Sequence, residues 1–361
     1  MTGVYIHVPF CVQKCPYCDF YSVKSQDNLQ ELYANAICEE ILSYPQNTKC
    51  NTIYFGGGTP GILYIQLFEK ILNTLYNHFD IDRNAEVSLE TNPAVVDKKG
   101  FADLKTLGFN RVSIGVQSLN DDDLKLLGRL HDAKGAINAV CDAFDAGFEN
   151  ISIDFMMCLP NQSAEKFIKN LEKAKILPIK HISAYMLKIE ENTPFAKQNL
   201  ILPDDDLSAQ IYIKSAEYLE SIGFEHYEIS NFAKSGFECR HNLKYWQREE
   251  YIGFGPAAHS FYQNKRYAKQ KSLTDFLQEP TKTYITDENC NALEEKIMLN
   301  LRLKSGFDTD ILGSEKQCAV LNRAAIFEKH GLMQIKNGII CLTKQGFLVS
   351  NSIISDIIYN L

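Results

Sequence analysis

Residues 4–18 read VYIHVPFCVQKCPYC, and they place a CxxxCxxC motif in the loop after a short predicted strand. Cys11, Cys15 and Cys18 can bring three thiolates to one metal centre. A structural zinc site uses four ligands, and no fourth cysteine lies nearby in the sequence. Three cysteines on a four-iron cluster instead leave one iron open for another ligand. The motif therefore predicts an iron–sulfur cluster.

The composition narrows the classes of function. The chain has 361 residues, and 37 Lys and Arg against 45 Asp and Glu give a net charge of −8. An acidic chain without basic runs is poorly suited to a phosphate backbone, so we expect no nucleic-acid partner. The sequence shows neither a secretory signal nor an apolar run of roughly 18 residues. Its 11 cysteines, an odd number, therefore predict reduced thiols in a cytoplasmic protein.

The first two thirds of the chain repeat a strand–helix unit. Six or seven such units require parallel strands joined by right-handed crossovers. They predict an α/β fold built as a partial (βα)6-type, TIM-like barrel, with an open doubly wound sheet as the alternative. The predicted strands span residues 4–7, 52–55, 86–90, 111–115, 151–155, 181–185 and 225–229. The predicted helices span residues 28–44, 62–79, 97–107, 134–146, 164–175 and 204–221.

The pattern changes after residue 230. Residues 231–285 contain only short apolar pieces and predict a connecting segment of loops. Asn337-Gly338 between two apolar runs is a strong hairpin signal, and helical patterns surround it, the last of them at residues 346–359. These elements predict a small C-terminal α+β domain that is winged-helix-like and serves packing or docking. We therefore expect three parts: residues 1–230, 231–285 and 286–361.

A CxxxCxxC motif after an N-terminal strand resembles the radical S-adenosylmethionine (SAM) superfamily. The surrounding residues are similar to the oxygen-independent coproporphyrinogen III oxidase family, and the similarity runs nearly end to end. It implies a radical SAM barrel that binds SAM and a four-iron four-sulfur (4Fe-4S) cluster through the three cysteines. The other matching motifs are FGGGTPGIL (55–63), SLETNP (88–93), RVSIGVQSL (111–119), DFMMCLPNQ (154–162), ISAYMLKIEENTPF (182–195), YEISNFAKSG (227–236), CRHNLKYW (239–246) and YIGFGPAAHS (251–260).

These polar motifs fall at the C-terminal ends of predicted strands, where βα-barrels gather their active sites. Consecutive glycines allow a ligand to approach the backbone closely, although a tight turn alone would also use glycine. The resemblance implies that Gly57, Gly58 and Thr59 hold the amino group of SAM. Glu90 ends the third predicted strand, where a buried carboxylate needs a partner. The resemblance implies that Glu90 bonds the ribose hydroxyls of SAM.

Further residues match cofactor positions of the family. Tyr5 and Tyr17 flank the cysteines and match positions that pack around SAM, although either alone fits a core residue. Three more match positions that, together with the Gly57 segment, bind a second SAM in the decarboxylating enzymes. An Arg–carboxylate pair in a barrel mouth is also a common structural ion pair, so both interpretations stay open. These three residues are Gln117, Arg129 and Asp154.

Cys158 departs from the family pattern, which usually has glycine at this position. We interpret Cys158 as a tolerated small apolar residue because the rest of its motif is intact. The other cysteines are scattered, and we interpret them as buried or surface thiols. They are Cys38, Cys50, Cys141, Cys239, Cys290, Cys318 and Cys341.

Two features separate the branches of the family. The oxidases usually carry a longer N-terminal extension and a further cysteine at the position that Phe20 occupies here. In both respects the chain is similar to the HemW-type heme chaperone branch. Its segment His241-Asn-Leu-Lys-Tyr245-Trp246 fits the HNxxYW motif of that branch. An imidazole can ligate heme iron while Tyr and Trp pack on the macrocycle, and a hydrogen-bonded turn with two core anchors is the alternative.

The resemblance implies a cytoplasmic heme chaperone that binds a 4Fe-4S cluster, SAM and heme. Its partners would be apo-hemoproteins of the respiratory chain, reached through peripheral membrane association with these clients, and the branch implies a homodimer. The alternative is an oxygen-independent coproporphyrinogen III oxidase, which decarboxylates two propionates by radical chemistry. A radical SAM methyltransferase is a third, weaker option. We expect no coproporphyrinogen dehydrogenase activity.

Overall fold

The computed structural model describes residues 1–288 and 291–361. Cys290, one of the scattered thiols, lies outside the described residues. The strands are β1 (Thr2–Val8), β2 (Phe10–Cys11), β3 (Val23–Lys24), β4 (Lys49–Gly57), β5 (Asp80–Thr91), β6 (Arg111–Gln117), β7 (Asn150–Met157), β8 (His181–Met186), β9 (Glu225–Glu228), β10 (Asn231–Ala233), β11 (Tyr251–Phe254), β12 (His259–Tyr262), β13 (Lys265–Ala268), β14 (Tyr284–Asp287), β15 (Phe307–Asp308), β16 (Met333–Lys336) and β17 (Ile339–Leu342).

The α-helices are α1 (Asp27–Leu42), α2 (Ile65–His78), α3 (Lys98–Thr106), α4 (Asp121–Leu126), α5 (Ala133–Asp145), α6 (Ala164–Ala174), α7 (Asp205–Ser221), α8 (Arg240–Trp246), α9 (Leu273–Gln278), α10 (Ala292–Asn300), α11 (Ser314–Lys329), α12 (Lys344–Leu348) and α13 (Ser350–Tyr359). Short 3-10 turns cover Pro60–Ile62, Pro194–Lys197 and Thr309–Ile311. Within the described residues, none of the helices has the length and apolarity needed to cross a membrane.

Six parallel strands form the centre of the fold, in the order β1, β4, β5, β6, β7, β8. This order follows the chain, and helices connect successive strands, as in a barrel wound in one direction. The prediction of a partial (βα)6-type barrel is therefore confirmed. The doubly wound alternative is wrong, because such a sheet reverses its winding direction at a switch point.

Side chains alternate across the central strands. One set is apolar and belongs to the hydrophobic core that the helices cover, as Ile53, Val87 and Ile151 show. The intervening set is polar yet also buried, as Ser88 and Ser152 show. Successive residues of a strand point to opposite faces, so the polar set lines the interior of the barrel. The barrel therefore has an apolar outside and a polar inside.

Aspartate and serine side chains begin several of the crossover helices. Asp97 accepts a hydrogen bond from the Gly100 N–H at the start of α3, and Asp132 accepts one from Gly135 at the start of α5. Ser163 caps α6 in the same way. These N-caps satisfy amide groups that have no partner within the helix. They fix where each crossover turns back from the mouth of the barrel.

Two predictions about the chain after residue 220 are wrong. The strand expected at 225–229 is not a seventh parallel repeat, because β9 pairs antiparallel with β10 and β10 antiparallel with β8. Residues 231–285 are not mainly loops, since β11 joins the free side of β1 in parallel and β12 to β14 extend the sheet. Strand β11 pairs with β1, which is distant in sequence and not revealed by local patterns, whereas β12, β13 and β14 each pair with the strand that precedes them in the chain.

The C-terminal residues form a separate small sheet with helices. Strands β15, β17 and β16 lie side by side, and Asn337 and Gly338 connect β16 to β17. Their φ angles of 50° and 77° are those of the tight turn that the Asn-Gly pair predicts. The predicted final helix 346–359 is divided at Val349 into α12 and α13. The hairpin prediction is therefore confirmed, and the last helix is broken.

Candidate functional site

The three motif cysteines lie at the mouth of the barrel, beyond the carboxyl end of β1. Cys11 ends β2, which pairs with β3, and the Cys18 N–H donates to the Cys15 carbonyl at 3.1 Å. All three are free thiols, with Cys11 buried and the other two half-buried. Within the described residues, no three His, Cys, Asp or Glu side chains are placed to hold one metal ion. A 4Fe-4S cluster differs from such a site, because each of its cysteines binds a different iron.

Hydrogen-bond donors face two of the thiols. The Thr59 hydroxyl donates to Cys11 Sγ at 3.6 Å, and Arg129 Nη1 donates to Cys15 Sγ at 3.2 Å. Burial raises the pKa of the Cys18 thiol. Donors and a positive charge stabilise thiolates and the negative charge of a thiolate-bound cluster. The surroundings of the cysteines therefore suit an anionic centre.

A network around Arg129 connects the cysteines to the strand ends. Arg129 Nη2 donates to Asn92 Oδ1 at 2.5 Å and to the Gly115 carbonyl at 2.7 Å. Asn92 Nδ2 donates in turn to Thr59 Oγ1 at 2.9 Å. Sequence reasoning missed Asn92 as a site residue. Its position directly after the Glu90 strand, in the motif SLETNP, was the signal that could have identified it.

The glycine segment after β4 passes close to the cysteine loop. A Cβ on Gly58 would lie 2.6 Å from the Phe10 carbonyl oxygen and 3.1 Å from Cys11 Sγ, and Gly57 has a φ of 112°. Only glycine tolerates such contacts and such a backbone angle. The N–H groups of Gly58 and Thr59 donate to carbonyls of the first strand and its loop. These bonds hold the segment against the first strand and the cysteine loop.

Glu90 lies at the end of β5 with both carboxylate oxygens bonded. Tyr54 Oη donates to Oε1 at 2.7 Å, and the Gly57 N–H donates to Oε2 at 3.2 Å. Burial raises the pKa of Glu90 to about 7, and the nearby Asp154 carboxylate adds to the increase. Each oxygen has further lone pairs, so the carboxylate can accept additional hydrogen bonds from a ligand. Sequence reasoning also missed Tyr54.

Gln117 and Arg129 converge above Gly115. A Cβ at Gly115 would lie 3.1 Å from Gln117 Nε2 and 3.4 Å from Arg129 Nη2. Gln117 has a left-handed φ of 65°. Asp154 accepts a hydrogen bond from Ser113 Oγ at 3.1 Å, and burial raises its pKa. Gln117 and Asp154 thus lie on the neighbouring strands β6 and β7, and Arg129 lies in the loop between α4 and α5, around the same opening.

The two predicted tyrosines occupy different depths. Tyr17 lies in the cysteine loop, 3.4 Å from Arg129 Nη1, and its ring is 6.1 Å from that of Phe195. Tyr5 lies deeper in the barrel, where its hydroxyl bonds His7 Nδ1 at 3.1 Å. Burial raises the pKa of both phenols, so both hydroxyls stay protonated. Tyr17 lines the cysteine end of the site, and Tyr5 supports it from below.

The HNxxYW motif lies at the other end of the barrel. His241 is fully buried in α8, with Nδ1 bonded to Thr52 Oγ1 and Nε2 bonded to Tyr245 Oη, both at 2.8 Å. Burial lowers the pKa of His241 to about 3, so the ring is neutral. Tyr245 and Trp246 are half-buried, and the Trp246 carbonyl accepts a hydrogen bond from Asn300. The structure therefore does not bring the predicted heme residues to the cysteines.

Comparison with known proteins agrees with this site. The Radical SAM superfamily matches residues 5–174. The heme chaperone HemW of Haemophilus influenzae is 39% identical over 265 residues, which cover 71% of this chain and 69% of that protein. The heme chaperone HemW of Escherichia coli is 39% identical over 263 residues, with the same coverage of 71% and 69%. The chain belongs to the HemW family of radical SAM proteins.

A solved structure extends the likeness to the fold of the whole HemW-family chain. Coproporphyrinogen III oxidase (HemN) from Escherichia coli, described as a radical SAM enzyme, aligns with a TM-score of 0.86 at 21% identity. The alignment covers 100% of this chain and 90% of that one. At this identity the likeness shows the fold alone.

Membership of the radical SAM superfamily implies a 4Fe-4S cluster and SAM. The residues at the mouth fit both groups, since three thiols share one loop beside an arginine and a hydroxyl donor. A backbone segment that excludes any Cβ and a carboxylate with spare acceptor capacity lie next to them. The mouth of the barrel is therefore the candidate cofactor site of this HemW-family chain.

Proposed function

We propose that this chain is a cytoplasmic heme chaperone that holds a 4Fe-4S cluster and SAM at the barrel mouth. The observation that carries the proposal is its 39% identity to two proteins named heme chaperone HemW. The cysteine loop and its polar neighbours supply the residues that such a cofactor set requires. Phe20, which stands where the oxidases place a further cysteine, supports the chaperone over the oxidase.

In this proposal each residue at the mouth has a separate task. Cys11, Cys15 and Cys18 supply three thiolates, and Arg129 beside Cys15 offsets their negative charge. Glu90 accepts hydrogen bonds from the ribose hydroxyls of SAM while Tyr54 and Gly57 hold its carboxylate in place. When bound and reduced, a cluster with three cysteine ligands supplies an open iron for SAM and an electron for cleaving it.

Apolar side chains around the cysteines support contact with heme at the mouth. Val12 is 50% exposed, Phe20 68% and Leu130 65%. Exposed apolar surface of this kind marks binding sites for apolar ligands or partners, and a porphyrin macrocycle is largely apolar. Ligation of heme iron by His241, with Tyr245 and Trp246 on the macrocycle, stays a prediction. It requires one of the two ring hydrogen bonds of His241 to break, so that one nitrogen can bind iron.

We further propose that the clients are apo-hemoproteins of the respiratory chain. Peripheral contact with such clients would bring the chain to the membrane without a spanning helix, and two copies would associate as a homodimer. Heme transfer to a membrane-bound apo-hemoprotein, and the mass of the protein in solution, test these two points separately.

The experiment that tests the function uses the full chain after anaerobic reconstitution with iron and sulfide. Heme is added, and the Soret band, heme retention on gel filtration and transfer to an apo-hemoprotein are measured. A parallel sample receives SAM, a reductant and coproporphyrinogen III, and its products are analysed. We expect stable heme binding and transfer, and no protoporphyrinogen IX.

The outcomes separate the three candidate functions. Failure to bind or transfer heme would remove the chaperone proposal. Sustained decarboxylation of coproporphyrinogen III would replace it with the oxidase. Transfer of a methyl group from SAM to the porphyrin would favour the methyltransferase.

A further inference from the structure

Three aromatic rings, from Tyr5, Tyr54 and His241, stack inside the barrel; we call them the ring stack. The centroids of Tyr54 and His241 are 5.1 Å apart, those of Tyr5 and Tyr54 6.2 Å, and those of Tyr5 and His241 6.3 Å. The planes are within 22°, 25° and 26° of parallel. Stacked rings at such distances attract one another beyond simple burial. His241 thus fixes the position of two tyrosines on neighbouring strands.

His241 is itself rigidly held. Thr52 and Tyr245 bond its two ring nitrogens, and its backbone N–H donates to Glu86 Oε1 at 3.1 Å. The Arg240 N–H donates to the other oxygen of Glu86 at 3.1 Å. One carboxylate on β5 therefore anchors the start of α8 while the ring is fixed separately. The ring stack has a firm base.

Two hydrogen-bonded connections run from the ring stack toward the mouth. Tyr54 Oη donates to Glu90 at 2.7 Å. His7 Nε2 donates to the Tyr21 carbonyl at 3.0 Å, so its Nδ1 is the acceptor for the Tyr5 hydroxyl at 3.1 Å. Tyr21 follows the third cysteine in the cysteine loop. The hydrogen bonds of both tyrosines in the ring stack thus lead to groups beside the cofactor site.

We propose that His241 is a positioning residue for the SAM site, acting through Tyr54 on Glu90 and through Tyr5 and His7 on the cysteine loop. In this role it contacts neither the cluster nor SAM, and its effect is to keep the Glu90 carboxylate aimed into the mouth. This inference rests on the proposed function, because it takes Glu90 as a SAM ligand. It gives His241 of the HNxxYW motif a task that requires no heme.

The connection also couples helix α8 to the mouth. Any ligand or partner that pulls α8 away from the base would release the ring stack and weaken SAM binding. By thermodynamic reciprocity, SAM binding would then oppose removal of α8 to the same extent. The two ends of the barrel therefore act as one unit with respect to SAM.

The test compares variants of the reconstituted full chain. His241→Ala removes the ring, and His241→Phe keeps a stacking ring without hydrogen bonds. Iron content, melting temperature, the dissociation constant for radiolabelled SAM and the change that SAM causes in the EPR spectrum of the reduced cluster are measured. We expect His241→Ala to keep its iron but to bind SAM about tenfold more weakly, a typical loss for an outer-shell partner. The SAM affinity of His241→Phe should lie between that of the parent and that of His241→Ala.

His181 provides a matched control. It is also buried at the base, and its ring nitrogens bond Ser152 Oγ at 2.7 Å and Tyr227 Oη at 2.8 Å. Its ring lies against that of Tyr227, outside the ring stack. His181→Ala should lower the melting temperature comparably while SAM affinity and the EPR response stay those of the parent. In a double-mutant cycle, His241→Ala should add little to the SAM effect of Tyr54→Phe.

Unchanged SAM affinity in His241→Ala, with iron retained, would overturn the proposal. Equal weakening by His181→Ala would also overturn it, because the effect would then follow from general destabilisation. Loss of heme binding with unchanged SAM affinity would assign His241 to heme instead. If Glu90→Gln itself leaves SAM affinity unchanged, the SAM site of the proposed function fails, which is distinct from failure of the ring stack.

Discussion

Both ends of the barrel contain left-handed backbone, but the residues that adopt it differ. At the base, where helices return to strands, Gly108, Gly147 and Gly223 adopt this conformation without strain, and Asn47 and Arg248 adopt it with side chains. At the mouth, Gln117 and Cys158 have φ angles of 65° and 61° although they carry side chains. Strained backbone persists where the surrounding structure enforces it, and it is common at functional sites.

The polar side chains of the two ends also differ, in whether their hydrogen-bonding groups are already paired. At the base, His241, His181 and Glu86 are buried. Each forms hydrogen bonds to groups of the barrel wall or of α8. At the mouth, Cys15 and Cys18 are half-buried thiols next to donors. These side chains at the base have hydrogen-bond partners inside the protein, whereas the mouth keeps groups available for a ligand. Changes at the mouth should therefore affect binding directly, and changes at the base should affect stability, with an effect on binding where the ring stack reaches the mouth.

The largest effect should follow from replacing the three motif cysteines. We expect the triple variant of Cys11, Cys15 and Cys18 to Ala to lose all bound iron and sulfide, and the brown colour, because no ligand set remains. Far-UV circular dichroism should show that it stays folded, since the barrel core lies elsewhere. Iron and sulfide analysis after reconstitution measures the loss.

The matched controls are the separate variants Cys38→Ala, Cys141→Ala and Cys158→Ala. Each should keep the iron of the parent, because none of these thiols belongs to the CxxxCxxC motif. Stoichiometric iron in the triple variant would break the distinction between the two ends.

The next effect should come from Glu90. We expect Glu90→Gln to bind SAM roughly ten- to hundredfold more weakly while iron is retained, since charge-assisted hydrogen bonds contribute about 1.5–3 kcal/mol. Equilibrium dialysis with labelled SAM provides the measurement. Glu228→Gln is the control, because burial also raises the pKa of Glu228 to about 7 but this side chain lies at the sheet edge. Its SAM affinity should equal that of the parent.

The pH dependence sharpens the same prediction. Glu90 is protonated below its pKa of about 7, and a protonated carboxyl accepts hydrogen bonds poorly. SAM affinity should therefore rise as pH increases through 7, and the rise should be absent in Glu90→Gln. Asp154, Tyr54 and Arg111 also face this carboxyl and influence its titration. A pH profile that Glu90→Gln leaves unaltered would assign the titration to another group.

How far the sequence predicts this molecule depends on whether a feature is local. The strand–helix alternation and the Asn337-Gly338 turn are local patterns, and the structure confirms the elements they predict. The cysteine spacing is also local, and the cluster it predicts stays a prediction. Strand β11 escaped prediction because its partner β1 lies far away in sequence, and β12 to β14 because each has only four residues. The four-residue spacing of His241 and Tyr245 predicts that they share a helix face. Nothing in the sequence indicates that the same ring also meets Thr52.

A smaller effect, on stability, is expected at the base. Glu86→Ala removes the acceptor of the Arg240 and His241 N–H groups, which α8 buries against the barrel. Buried donors without a partner cost about 1–3 kcal/mol, so the free energy of unfolding should fall by roughly that amount. Denaturant melts of the reconstituted protein measure it, with iron content unchanged. Glu225 is exposed and serves as the control, since Glu225→Ala should change the free energy of unfolding by less than about 0.5 kcal/mol.

The smallest effect concerns the strained backbone at the mouth. Cys158 is buried, and its φ of 61° explains why glycine suits this position. Cys158→Ala keeps the Cβ and its strain, whereas Cys158→Gly removes both. We therefore expect the Gly variant to be more stable than the Ala variant by about 1 kcal/mol in denaturant melts. At the base, Gly147→Ala should lose about 1 kcal/mol for the same reason, since its φ is 94° and no atom would meet the new Cβ. If the two Cys158 variants are equally stable while Gly147→Ala still loses stability, the mouth accommodates its left-handed residue without strain. The contrast between the two ends would then rest on the side chains alone.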